Sequence, residues 1–173
     1  AMTVGGNALN VAAYWRRAGL DARHFGAVGR DGEGDIILEE TVKAGLSAGD
    51  VERRAGHTAV TLLREKDGDR QILFEDLGVG KDYMPSEAHY GMIAAADWVH
   101  LGTNSHAPLV RRLSADRVPF SIDVSTAHDA LPLRDVPIVF ASGPDDPRVP
   151  VEPLVAKLKA AGAGRVVVTC GSR

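Results

Sequence analysis

The sequence predicts an α/β fold in which a mostly parallel sheet carries helices on both faces. Short runs rich in β-branched residues alternate with segments of helical period along most of the chain. A glycine-rich corner separates the first predicted strand from the second predicted helix, and an Asp-Gly turn marks a hairpin within the alternation. Ligands of such sheets bind beyond the carboxyl ends of the strands, so the residues that follow each strand are the first candidates for a functional site.

Each predicted element rests on a local pattern. Helices begin at capping residues or proline and end at glycine, and strands are apolar runs bounded by turn residues. We predict helices over 7–19, 35–45, 86–96, 106–113 and 150–161. We predict strands over 24–28, 58–64, 70–74, 97–102, 119–123, 136–141 and 165–169, the last of them buried.

The composition excludes several classes of protein. A chain of 173 residues with 45% hydrophobic and 25% charged residues is long enough for one globular domain with a substantial core. A net charge of −3 without a basic stripe argues against a nucleic-acid partner, and no apolar run is long enough to span a membrane. The single cysteine, Cys170, excludes an internal disulfide and is typical of the cytoplasm, which we predict as the location.

The start of the first helix predicts a ligand-binding backbone. Gly5 and Gly6 have no Cβ, so the main chain can turn tightly and approach a ligand closely. Asn7 is predicted to cap the helix with its side-chain oxygen, and Asn10 points back towards the same end. A helix start of this kind presents N–H groups to an oxygen-rich ligand. A simple loop followed by a capped helix is the alternative that the motif alone leaves open.

The glycine-rich corner at 28–34 has the order G-x-x-G-x-G, which differs from the dinucleotide-binding fingerprint G-x-G-x-x-G. The P-loop pattern is absent from the sequence. Asp31 within the corner has two open interpretations: it is a turn former near the helix start, or it organises a ligand-binding loop.

The two β-prone runs over 58–64 and 70–74 flank the segment Lys66-Asp67-Gly68-Asp69, which is a strong hairpin signal. An antiparallel hairpin inside a parallel alternation is more typical of a flap or an oligomer contact than of the sheet core.

Polar residues follow several of the predicted strands. Acids and amides that share one edge of a sheet suit a polyhydroxylated ligand and a metal-bound phosphate. For each of them an ordinary polar loop residue is the alternative. The candidates are Gly102, Thr103, Asn104, His106, Asp123, Ser125, 142–146 and Gly171.

Together these motifs resemble the PfkB, or ribokinase-type, carbohydrate kinase family. The resemblance covers essentially the whole chain in the family's order: GGNALNVA at 5–12, RAGL at 17–20, GAVGRDGEG at 26–34, the hairpin, Asp123, and GAGRVVVTCG at 162–171. Within the family, the motifs GGNALNVA, FASGPDD at 140–146 and GAGRVVVT are most similar to fructoselysine (fructosamine) 6-kinases.

The resemblance implies a ribokinase-like three-layer α/β/α fold over 1–173, with a β-hairpin lid over about 58–75. It implies an enzyme that uses ATP and Mg²⁺ to phosphorylate a sugar hydroxyl, and a homodimer formed through the lid. Ribose, fructose, keto-deoxygluconate and nucleosides are alternative substrates within the family, and a sugar-binding module without catalysis is a further alternative. A phosphatase-like loop at Cys170 is disfavoured because a cysteine phosphatase requires an arginine beyond Arg173.

The resemblance also implies roles for single residues. Gly5, Gly6 and Asn10 would contact sugar hydroxyls with Asn7 beside them, and Asp123 would lie near the substrate and phosphate. The remaining implied positions are Asn104 and His106 at the sugar-specific end and Asp146 as a residue that holds Mg²⁺ through water.

Two departures from the family pattern stand out. Gly143 occupies the position where the family usually has an asparagine, which puts the metal role of Asp145 and Asp146 in doubt. The family's catalytic aspartate belongs to a late G-A-G-D loop, and its first strand precedes the glycine pair. We therefore expect this chain to be a fragment whose catalytic aspartate lies beyond Arg173.

Overall fold

The computed structural model describes residues 3–66 and 69–171, and the side chains of these residues outside 65–71. Over this part of the chain it forms two compact units, Ala1–Pro85 and Ser86–Arg173. The single domain over 1–173 stays a prediction. Among the described helices, none has both the length and the apolar character needed to cross a bilayer.

The first unit contains two helices and four strands within its described residues. A parallel pair of strands, β1 and β2, is joined by a crossover through α2. Leu9 and Ala12 of α1 pack against Leu46, which follows α2. The elements are α1 (Asn7–Arg17), β1 (Gly26–Val28), α2 (Gly32–Lys43), a 3-10 turn (Ala48–Asp50), β2 (Val51–Arg53), β3 (Val60–Lys66), β4 (Asp69–Asp76) and a second 3-10 turn (Gly78–Gly80).

The predicted hairpin is confirmed. Strands β3 and β4 pair in antiparallel register, with Leu62 opposite Phe74 and Leu63 opposite Ile72. The register shifts between Leu62 and Leu63, as expected for a β-bulge. Residues 67 and 68 of the predicted turn lie outside the described residues.

The second unit is a strand–helix alternation built on one sheet. Within the described residues this sheet has four parallel strands in the order β5-β6-β7-β8, which confirms the predicted α/β class. Phe120 and Ile122 of β6, Val139 of β7 and Leu113 of α4 are fully buried in its core. The elements are α3 (Glu87–Ala94), β5 (Val99–Leu101), α4 (Ala107–Ala115), β6 (Phe120–Asp123), β7 (Ile138–Ser142), α5 (Glu152–Ala160) and β8 (Arg165–Thr169).

The prediction that the last strand is buried is wrong. Strand β8 stands at one end of the strand order and alternates between exposed and half-buried side chains, with Val167 40% exposed. A run of β-branched residues indicates an extended strand, whereas burial depends on which elements pack against its two faces. The three valines of β8 therefore predicted the correct element and the wrong environment.

Candidate functional site

The backbone at the start of α1 is open. Gly6 is the N-cap of the helix, with φ 109° and ψ 127°, a conformation that residues with a side chain rarely adopt. Both Gly5 and Gly6 are exposed, and a Cβ built on either would meet no atom of the described residues within 4 Å. The main chain at this helix start is therefore accessible to a ligand.

The prediction that Asn7 caps α1 is wrong by one residue. Gly6 takes the cap position, and the Gly6 carbonyl accepts the first helical bond from the Asn10 N–H at 3.0 Å. Asn7 is the first helical residue, where its side-chain oxygen accepts the Ala8 N–H at 2.9 Å. Asn10, one turn along, is exposed. Both amide side chains thus belong to the first turn, beside the open glycines.

Asp31 joins the glycine-rich corner to the base of the hairpin. One carboxylate oxygen accepts the Gly34 N–H at 2.9 Å and the Thr58 hydroxyl at 2.5 Å, and the other accepts the Thr58 N–H at 2.7 Å. The Thr58 hydroxyl in turn accepts the Gly29 N–H at 2.8 Å, and Thr58 is only 2% exposed. Hydrogen bonds from the Thr58 side chain, then from the backbone, hold the pKa of the Asp31 carboxyl below its usual value.

This arrangement bears on both interpretations of Asp31. The residue is the N-cap of α2, so its placement near the helix start is confirmed, and the helix begins at Gly32 instead of the predicted Asp35. A role in organising a ligand-binding loop stays a prediction. Two of the glycines around Asp31 allow close packing: a Cβ at Gly29 would lie 2.4 Å from the Gly56 carbonyl oxygen, and one at Gly34 would lie 2.5 Å from the Gly29 oxygen.

In the second unit, the parallel strands place several predicted residues beyond their carboxyl ends. Asp123 ends β6, is half-buried and accepts the Ser125 N–H at 2.7 Å. The next turn meets the end of β7, where the Ser142 N–H donates to the Ser125 carbonyl at 2.8 Å. Asn104 follows β5 and is exposed. Asn104 and Asp123 therefore lie at the same edge of the sheet, as predicted, and their contact with a substrate stays a prediction.

One polar cluster on this sheet was missed by the sequence analysis. Trp98 Nε1 donates to the Ser121 hydroxyl at 3.0 Å, and His100 Nδ1 lies 2.9 Å from the same oxygen. Ser121 is 3% exposed, and the His100 ring meets the Phe140 ring edge-on with centroids 5.8 Å apart. Burial lowers the pKa of His100, and the charge of Asp123 partly opposes that shift.

The surroundings of Asp146 do not form a magnesium site by themselves. Both of its carboxylate oxygens accept hydrogen bonds from the Arg148 guanidinium, at 2.9 Å from Nε and 2.7 Å from Nη2, and Oδ1 also accepts the Arg148 N–H. Across residues 3–66 and 69–171 no three His, Cys, Asp or Glu side chains come close enough to hold a metal ion. Mg²⁺ takes carboxylate and phosphate oxygens, and here the carboxylate is already paired with a cation. A magnesium role for Asp146 stays a prediction.

Gly143 is closely surrounded by its neighbours. A Cβ at this position would lie 2.9 Å from Val168 Cγ1 and 3.1 Å from Cys170 Sγ. The Gly143 N–H donates to the Thr169 carbonyl at 2.8 Å, so the β7 loop lies directly against the end of β8. No residue with a side chain fits there unless its neighbours move.

Comparisons with known proteins agree with this architecture. The fructoselysine 6-kinase of Escherichia coli (strain K12) is 33% identical over 176 residues, which cover 96% of this chain and 66% of that protein. A solved structure of an uncharacterized sugar kinase from Pyrococcus horikoshii in complex with ATP matches with a TM-score of 0.71 at 17% identity, over 96% of this chain and 61% of its own. A ribokinase structure from Thermotoga maritima matches with a TM-score of 0.70 at 14% identity, over 95% of this chain and 58% of its own.

These structural matches confirm the predicted ribokinase-like α/β fold, and this chain spans 58–66% of the length of the proteins it matches. A family model described as pfkB family carbohydrate kinase matches residues 1–116, which include the open helix start, the glycine-rich corner and the hairpin. The chain therefore belongs to the pfkB family of carbohydrate kinases.

Proposed function

We propose that the intact protein transfers the γ-phosphoryl group of ATP to a sugar hydroxyl, and that its substrate is a fructosamine such as fructoselysine, phosphorylated at O6. The 33% identity to a fructoselysine 6-kinase along 96% of this chain is the observation that carries the choice of substrate. Phosphoryl transfer depends on positioning and charge stabilisation more than on covalent steps by the protein, which suits a site made of main chain and amide groups.

The open start of α1 is the proposed sugar-binding surface. Gly5 and Gly6 expose their backbone, and Asn7 and Asn10 add amide groups on the first turn. A polyol has many hydroxyls and little apolar surface, so uncovered N–H and C=O groups can bind it by hydrogen bonds. Asn104 and Asp123, at the strand ends of the second unit, are the further proposed substrate-binding residues.

ATP and Mg²⁺ complete the proposed reaction. The ATP-bound sugar kinase of Pyrococcus horikoshii, which has the same fold, supports ATP as the phosphoryl donor. Mg²⁺ neutralises charge on the transferring phosphates when it is bound. No residue of this chain is proposed as the general base. We also propose a cytoplasmic location, based on the single cysteine.

The β3–β4 hairpin is the proposed lid and dimer contact. Leu62 and Phe74 form a directly opposed pair on one face, 56% and 55% exposed. Leu63 and Ile72 form the next opposed pair across the register shift, 48% and 63% exposed. A sugar offers few apolar groups to cover these exposed side chains, whereas the same hairpin of a second copy matches them.

The experiment is an assay of ADP release by the intact protein with ATP, Mg²⁺ and single candidate acceptors. We expect kcat/KM for fructoselysine to exceed the values for fructose, ribose, keto-deoxygluconate and nucleosides by at least about tenfold. A preference for one of the other acceptors would overturn the substrate. Binding of a sugar by folded protein without ADP release would overturn the kinase activity and leave a sugar-binding module.

A further inference from the structure

Trp98, His100 and Ser121 form a cluster beside strand β6, which ends at Asp123. The proposed reaction does not require this cluster. We propose that Trp98 and Ser121 fix His100 as the neutral tautomer with its proton on Nε2, and that this ring positions the Asp123 carboxylate. The second half rests on the proposed function, because Asp123 is a proposed substrate-binding residue. The first half, the tautomer of His100, concerns only hydrogen positions and does not depend on whether the protein is a kinase.

The tautomer follows from counting hydrogens. The indole Nε1 of Trp98 is a donor only, so the Ser121 oxygen accepts from it at 3.0 Å. The Ser121 hydroxyl has one hydrogen, and the other nitrogen in contact with the oxygen is His100 Nδ1, at 2.9 Å. The Ser121 oxygen has a second lone pair for an Nδ1–H, but its own hydrogen would then lack an acceptor among the described residues, which is costly for a buried hydroxyl. The hydroxyl hydrogen therefore points to Nδ1, and Nδ1 is the unprotonated acceptor. The proton of the neutral imidazole is therefore on Nε2.

The surroundings of the ring also favour the neutral form. Ser121 is 3% exposed, so the hydroxyl cannot exchange its partner for water. The edge-on Phe140 ring covers one side of His100, and burial lowers the pKa of the imidazole. The charge of Asp123 acts in the opposite direction and is the weaker influence.

The register connects the ring to the strand end. His100 of β5 pairs with Ser121 of β6, and Asp123 follows Ser121 by two residues. Side chains two apart on a strand share a face, so His100, Ser121 and Asp123 lie on one face of the sheet. Asp123 pairs in turn with Phe140 of β7, the residue whose ring contacts His100. The sequence signal that could have revealed this set is the spacing Ser121-x-Asp123 beside a strand containing His100.

A neutral N–H donor suits a carboxylate that binds substrate. It fixes the position of the carboxylate by a hydrogen bond and leaves the negative charge available to a sugar hydroxyl. A protonated imidazolium would instead pair with that charge and weaken the carboxylate as an acceptor. His100 is accordingly a positioning residue, one that acts through Asp123.

The first test is NMR of the intact protein labelled with ¹⁵N-histidine at pH 7. We expect the His100 signals, assigned by their loss in His100→Gln, to show an unprotonated Nδ1 and a protonated Nε2. Ser121→Ala should weaken this preference without abolishing it, because the proposed bond from Nε2 to Asp123 remains, and Thr61→Ala, on the exposed hairpin, should leave the signals unchanged. A protonated Nδ1, or an unchanged ratio of tautomers in Ser121→Ala, would overturn the proposal whether or not the protein is a kinase.

The second test separates positioning from packing. Glutamine places an amide N–H near the position of Nε2, whereas phenylalanine keeps the ring and removes the donor. We expect His100→Phe to change the ¹³C chemical shift of the Asp123 carboxyl at pH 7 and to raise the sugar KM about tenfold, and His100→Gln to keep the KM within about threefold of the wild type. Equal effects of the two variants on both readouts, in protein that unfolds at the wild-type temperature, would show that the ring only packs. A changed Asp123 carboxyl resonance in His100→Phe, in protein without kinase activity, would overturn the proposed function and leave the positioning intact.

Discussion

The carboxylate of Asp31 accepts both the N–H and the hydroxyl of Thr58, a residue 27 positions further along the chain. Asp31 caps the helix that follows the glycine-rich corner, and Thr58 stands two residues before the first hairpin strand. The glycine-rich corner and the base of the hairpin are therefore joined through Asp31 and Thr58, and the Gly29 N–H adds a further hydrogen bond to the Thr58 hydroxyl. The hairpin strands, from Val60 onwards, extend beyond this connection.

Thr58→Val should test how much this contact stabilises the first unit. Valine preserves the branched shape, but it leaves the Gly29 N–H without the hydroxyl that it donates to and removes one donor to Asp31. We expect a loss of about 2 kcal/mol in the free energy of unfolding, measured with urea. Thr61→Val, on the exposed face of β3, is the matched control and should change stability by less than about 0.5 kcal/mol. Equal effects would contradict the assigned hydrogen bonds.

The stability of the first unit should fall in acid because of His24. Burial lowers the pKa of this histidine to about 4 in the folded protein, against 6.5 for an unperturbed histidine. The unfolded chain binds the proton first as the pH falls, so stability is complete above pH 6.5 and decreases towards pH 4. The decrease attributable to His24 is up to about 3 kcal/mol.

The measurement is urea unfolding from pH 7.5 to 4.5 for the wild type and His24→Gln. The difference between the two should shrink as the pH decreases, because glutamine does not titrate. Parallel curves would show that His24 titrates normally in the folded protein.

The two glycines at the start of α1 should respond differently to alanine. Gly6 has φ 109°, so Gly6→Ala should cost about 1 kcal/mol or more of stability through backbone strain. Gly5 does not have a positive φ and has open space around it, so Gly5→Ala should leave stability unchanged within about 0.5 kcal/mol.

Measuring sugar affinity tests whether the open backbone at Gly5 is part of the binding site. A methyl group on Gly5 would stand where the ligand is proposed to approach, so we expect Gly5→Ala to weaken sugar binding at least about tenfold in calorimetry. Gly32, another glycine with open space around it, is the control. An unchanged affinity in Gly5→Ala would remove the glycine pair from the proposed site.

A charge on the hairpin should dissociate the proposed dimer. Ile72 is 63% exposed on β4, and burying a glutamate there in an apolar interface is costly. We expect Ile72→Glu to convert a dimer into a monomer by light scattering with size-exclusion chromatography. Val42→Glu, a comparable exposed position on α2, should leave the dimer intact. A wild-type protein that is monomeric at all concentrations would exclude the hairpin contact.

Most helices and strands could be predicted from local sequence patterns. The errors arise where contacts between residues distant in sequence determine the structure. Strand β2 (Val51–Arg53) was missed because three residues give no usable periodicity, and parallel pairing with β1 defines it. The start of α2 was placed late because the glycines after Asp31 are typical of a loop. Its cap at Asp31 is fixed by Thr58, far along the chain.

The features of the candidate site also separate into those that local sequence predicts and those that depend on distant contacts. The open glycines at 5 and 6 were foreseen because the absence of a side chain is visible in the sequence. The hydrogen bonds among Trp98, His100 and Ser121 were not, because strand register brings these residues together. No short-range signal distinguishes a histidine that contacts a buried serine from one that faces solvent.

The tight fit of Gly143 against Val168 and Cys170 makes the effect of a substitution at one of these positions depend on the other two. Gly143→Asn alone should be poorly tolerated, while the same change after Val168→Ala loses its shortest contact and should be tolerated better. The order in which such substitutions arise then matters. A lineage that acquired glycine at position 143 first would rarely regain a larger residue there. Gly143 and its two neighbours should therefore vary together among close relatives of this chain.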